Sequence, residues 1–134
     1  MDPRPHQLST PWRIVFGVGW GGVVLCLAAV WNSSRTMGLS TWWLGAPADP
    51  MPLVVQVLPF VLPVAMVVGA FRNVRFLPLY GVLSAGALAA IAIGDLEPFH
   101  RYGVAEGAVA TAAMLVSLAS FAGLLRPVPS EPSN

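Results

Sequence analysis

Four long apolar runs constrain this chain more than any other feature. They are Ile14 to Trp31, Leu53 to Phe71, Leu77 to Gly94 and Val104 to Leu125. Each is close to the ~20 helical residues that cross a hydrocarbon layer about 30 Å thick. Within lipid, a lone segment can satisfy its backbone N–H and C=O groups only as a helix. The runs therefore predict an all-α fold, a four-transmembrane-helix bundle with helices at about 14–31, 53–71, 77–94 and 104–125. The charge supply agrees: 10% of residues are charged and 56% are hydrophobic, against about 25% and about 45–50% in soluble domains. So few charges cannot cover a water-facing surface.

The span region 13–126 forms one transmembrane domain. The flanks 1–12 and 127–134 are polar, proline-rich and without apolar periodicity, so both are expected to be disordered, with nothing to bury. Arg4 and Arg13 precede the first run as basic residues precede a secretory signal. That run is longer than a signal's apolar region, however, and Trp31 crowds the small-residue site a peptidase needs. It is read as a retained helix.

All seven cations are arginine, a usage that fits a GC-rich bacterial genome and hence a bacterial inner (plasma) membrane. With four spans, Arg4, Arg13, Arg72, Arg75 and Arg126 fall on one side, and Arg35 and Arg101 on the other. The positive-inside rule then places both termini in the cytoplasm. A net charge of +1 without a basic run excludes nucleic acid as a partner, since phosphate neutralisation needs clustered cations. The lone cysteine, Cys26, lies inside an apolar run and can form no internal disulfide.

Small residues let membrane helices approach closely. Gly17 and Gly21 form a GxxxG pair in the first helix, and Gly19, Gly22 and Cys26 form a neighbouring stripe. Gly81, Ala85 and Ala92 face one way in the third helix; Ala110, Ala113, Ser117 and Ser120 do so in the fourth. Gly17, Gly21 and Gly81 are thus the expected packing positions, within one chain or between chains. In the second helix Gln56, Pro59 and Pro63 share a face. Each proline removes a donor and displaces a carbonyl of the preceding turn, so a kink with a polar notch beside the Gln56 amide is expected there.

Intramembrane charge usually marks transport or proton chemistry, and the spans here hold almost none. Glu106 falls just inside the fourth run, where the positive end of the helix dipole would favour it. The connection 94–103 gathers Asp95, Glu97, His100 and Arg101, expected as a solvated loop. Its spacing matches no metal motif, so no metal is assigned. The connection between the first two runs carries Trp42, Trp43 and Asp49. Tryptophan prefers the headgroup region, so residues 33–44 are expected to form an interfacial helix. Together Trp42, Trp43, Asp49, Asp95, Glu97, His100 and Arg101 make the candidate outer recognition surface.

His6 and His100 lie outside the spans and on opposite sides, which excludes a bis-histidine haem across the bundle. No thiol pair, phosphate-binding glycine loop or serine with a nearby histidine base is present, and no cofactor is assigned. The reading is a small, non-catalytic multi-pass membrane protein, an accessory or assembly subunit of a larger complex. Its partners are the lipid bilayer and another membrane protein or itself. The alternative is a homo-oligomeric transporter or channel that uses the Gln56, Pro59, Pro63 notch with Glu106.

Overall fold

The computed structural model describes residues 4–126; the predicted tail 127–134 lies outside them. Helix α1 covers Thr10–Met37, α2 Leu53–Phe71, α3 Leu77–Leu96 and α4 His100–Ser120, the last followed by a 3-10 turn at Phe121–Gly123. All four are long and apolar enough to cross a membrane. The short connections 72–76 and 97–99 make α2, α3 and α4 antiparallel neighbours in turn, and α1 packs against both α2 and α4.

Local chemistry sets the ends. Proline sits in the first turn of α1, where its missing N–H costs nothing. At the far end the helix does not stop at Trp31 as expected. Residues 32–36 contain no helix breaker, and the chain leaves the helix only at Gly38, whose left-handed φ of 68° suits glycine. The interfacial helix expected over 33–44 is therefore not what forms. Residues 33–37 extend α1, and the remainder turns into a two-residue hairpin in which β1 (Gly45–Ala46) pairs antiparallel with β2 (Asp49–Pro50). Helix α4 also starts earlier than expected, because only residues 97–99 separate it from α3.

The core runs along the bundle axis. Phe16, Trp20, Val23 and Leu27 of α1 pack against Ala70, Leu77, Ala85, Leu88, Ala110 and Ala113. Helices α3 and α4 make the most extensive contact, and the small-residue faces read from the sequence meet there. Gly81, Ala85, Ala92, Ala110, Ala113, Ser117 and Ser120 are all buried. A side chain at Gly81 would lie 3.0 Å from the Phe16 ring and against Ser117. Gly17 faces Ala70 of α2 at ordinary contact distance, 3.5 Å. Gly21 departs from the expectation: nothing lies within 4 Å of where its Cβ would be. On the outer surface Val54, Leu25 and Phe71 stand 79%, 72% and 82% exposed, a surface suited to lipid rather than water.

The N-terminal flank also differs from expectation over its described part. Leu8 is buried at 2% exposure and bridges Leu124. Backbone N–H groups of His6 and Ser9 donate to Leu125 and Gly123 at 3.0 Å, and Phe76 donates to His6 at 3.0 Å. One leucine in a polar stretch carries no periodic signal, yet its burial and these backbone bonds together seat the strap across the helix ends.

Candidate functional site

At the end of the bundle opposite this strap, the connection between α1 and α2 folds inward. Gly38 turns the chain, Ser34 Oγ donates to the Leu39 carbonyl, and Thr41 is buried with its Oγ1 accepting from the Leu44 N–H at 3.1 Å. Gly45 adopts φ 72°, and a side chain there would collide with the Met51 nitrogen at 2.7 Å. These constraints hold Trp43 and Leu44 at 0% exposure between the helices. The Trp43 ring meets Trp31 and Phe60 edge-on, with centroids 6.4 and 6.1 Å apart, a favoured aromatic geometry.

Two carboxyl groups receive this loop. The Trp42 backbone N–H donates to Asp95 Oδ1 at 2.8 Å, and the Trp43 indole N–H donates to Glu106 Oε1 at 2.9 Å. Asp95, on the last turn of α3, is fully buried, and Glu106, on α4, is 4% exposed. The two acids sit at the same close crossing of α3 and α4. Gly103 explains how. A Cβ there would lie 2.8 Å from the Leu96 nitrogen and 2.9 Å from the Asp95 carbonyl carbon, so only glycine lets the two backbones touch. One turn further on, Glu106 faces Asp95.

Asp95 Oδ2 and Glu106 Oε2 are both buried without a described protein partner. Buried carboxyl oxygens need donors, and two carboxyl groups in one dry site repel when both are ionised. A single proton shared between them would satisfy both oxygens and remove the repulsion. The arrangement is chemically a carboxyl pair with every described donor supplied by the 41–44 loop, a latch between loop and helices.

Several sequence expectations change here. Trp43 does not anchor in a headgroup layer; it is a core residue. Trp42, 38% exposed, does reach the surface, with its Nε1 donating to the Ile91 carbonyl at 3.1 Å. Asp95 belongs to a helix and is sealed, not part of a solvated loop. Glu106 is not in the first turn, since α4 begins at His100 and no acid occupies that turn, so the dipole account of it fails and the pairing with Asp95 and Trp43 replaces it. Asp49, Glu97, His100 and Arg101 are exposed and stand apart from the latch; His100 Nδ1 makes only a 3.4 Å contact to the Leu96 carbonyl.

The expected notch in α2 is closed. Gln56 is 8% exposed, and its amide donates to the Met51 carbonyl while its Oε1 accepts from Arg35 at 3.4 Å. Arg35 also donates to the Leu44 carbonyl at 3.1 Å, so this pair secures the other side of the same loop. Pro59 and Pro63 are fully buried against neighbouring helices and do not line an opening. In the sequence the residues of the latch lie in separate segments, with nothing in composition to join them. The available signal was the register of Asp95, Gly103 and Glu106 across a three-residue turn. Among the described residues no group of three His, Cys, Asp or Glu side chains converges as a metal site requires.

The chain matches no protein-family model, and searches of curated proteins and of solved structures give no significant relative.

Proposed function

We propose that this protein is a non-catalytic accessory or assembly subunit of a larger bacterial inner-membrane complex, with both termini in the cytoplasm and the tryptophan loop outside. The observation that carries the reading is where open space lies. The axis is filled by apolar side chains, and Asp95 and Glu106 each accept from a donor of the 41–44 loop. Several grooves open on the surface instead, and the one between α1 and α4, about 420 Å³, is lined by small residues, Gly19, Gly22, Cys26, Ala108 and Ala112 among others. Small residues on an open helix face suit the close approach of another membrane helix, from another protein or a second copy. The transporter alternative loses support from the engaged Gln56 and the buried prolines.

Cross-linking in the source membrane, then purification in mild detergent, tests this. The chain is expected in a discrete larger assembly that Gly22→Trp or Ala112→Trp dissolves. Gly22 has nothing within 4 Å of its Cβ position, so the folded chain should accommodate the change. A monodisperse single chain without partner, from wild-type membranes, refutes the proposal.

A further inference from the structure

We infer that the arginine end of the bundle holds a specific site for one anionic phospholipid, its phosphate among Arg4, Arg13 and Arg72 and one acyl chain in the groove between α1 and α2. The inference does not depend on a protein partner.

The headgroup pocket is built, not incidental. The strap from Arg4 to Ser9 is fixed at both edges: Gln7 Nε2 donates to the Asn73 carbonyl at 2.8 Å, and the Leu125 N–H donates to the Gln7 carbonyl at 2.9 Å. The strap, the start of α1 and the α2–α3 turn enclose about 1060 Å³. Three guanidinium groups line it, and its described lining contains no carboxylate. Guanidinium forks match phosphate oxygens in geometry as well as charge.

The start of α1 adds to this. Its first turn carries no acidic residue and Ser9 makes no side-chain cap bond. Ser9 and Thr10 both line the pocket, so the positive end of the helix dipole points there uncompensated.

The second observation turns an anion site into a lipid site. Arg13 and Phe71 also border an apolar groove of about 270 Å³, which continues along α1 and α2 between Ile14, Gly17, Val18 and Val67. Gly17 keeps its floor low. A soluble phosphate would use only the polar pocket; a phospholipid uses both, with Arg13 at the junction. Phe71, 82% exposed, flanks the point where the chain enters.

The test uses the purified full chain in detergent with equimolar phosphatidylglycerol and phosphatidylcholine of identical acyl chains, bound lipid being counted by native mass spectrometry. One phosphatidylglycerol per chain is expected in preference to phosphatidylcholine. Arg13→Gln with Arg72→Gln should lower its occupancy about tenfold or more, the scale of losing charge-assisted hydrogen bonds. Arg75→Gln, on the same turn but outside the pocket, should change nothing. Val18→Trp fills the groove from a position already 71% exposed, and should weaken phosphatidylglycerol while leaving competition by inorganic phosphate intact. If the double variant is not monodisperse, the two single substitutions make the same comparison. Equal binding of the two lipids, or a preference that survives the arginine substitutions, overturns the site. A preference untouched by Val18→Trp but abolished by inorganic phosphate assigns the pocket to a soluble anion and overturns the lipid.

Discussion

The two ends of this bundle solve opposite electrostatic problems. At the tryptophan end, two carboxyl groups are taken out of solvent, and their described donors come from one loop of the same chain. At the other end, Arg4, Arg13 and Arg72 border an open pocket whose described lining offers no counter-charge. Burial of a polar group demands a partner in the fold, so the acids became structural. Arginine at a membrane interface stays solvated on a long stem, so the cations remain available to something else. Substitutions should therefore divide cleanly: those at the tryptophan end move stability, and those at the arginine end move ligand occupancy.

The largest effect is expected for Trp43→Ala. It removes a fully buried indole that packs on Trp31 and Phe60 and leaves Glu106 Oε1 without its donor. Large-to-small changes of this kind cost about 3–5 kcal/mol in soluble cores. Denaturant unfolding in micelles, followed by far-ultraviolet circular dichroism, should show a loss of that order. A loss below that of an exposed substitution would remove Trp43 from the core and undo the contrast between the ends.

Glu106 sharpens the comparison at the level of one bond. Glu106→Leu orphans the buried Trp43 indole N–H, which costs about 1–3 kcal/mol. Glu106→Gln keeps an acceptor for Trp43 and offers its amide to Asp95, so it should cost clearly less. The order Leu worse than Gln in the same unfolding assay identifies a hydrogen-bonded latch. Equal losses would mean that the ionisable carboxyl itself is required, which a latch does not explain.

The spans were legible in the sequence because lipid imposes a length and a composition on any helix that crosses it. Helix α2 begins and ends where hydropathy alone puts it. The end of α1 was not legible: polar Asn32 to Thr36 look like a loop to a hydropathy reading, and only Gly38 stops the helix. The packing faces of α3 and α4 were legible as small-residue stripes, whereas the open surroundings of Gly21 depend on what the neighbouring helices bring to it, which no local pattern encodes. For the latch, the residues were visible but their meeting was not. Asp95 and Glu106 looked like loop and helix-start acids until the short turn at 97–99 and the bare backbone of Gly103 set them face to face. The strap was missed because a single leucine, Leu8, carries no period.

The smallest effect separates the two adjacent tryptophans, which look equivalent in the sequence. Trp42 contributes to the latch through its backbone N–H, which donates to Asp95 whatever the side chain is. Its indole is 38% exposed and makes one bond, to the Ile91 carbonyl. Trp42→Phe keeps the apolar body, keeps the backbone donor and loses that one bond, so the expected cost is about 0.5–1.5 kcal/mol. Trp43→Phe, by contrast, removes the indole N–H that Glu106 requires and should approach the Glu106→Leu loss. Combining Trp43→Phe with Glu106→Leu should then cost much less than the sum of the two, because each already breaks the same bond. Trp42→Phe with Glu106→Leu shares no bond and should add. Additivity in both pairs would place the latch elsewhere than between Trp43 and Glu106.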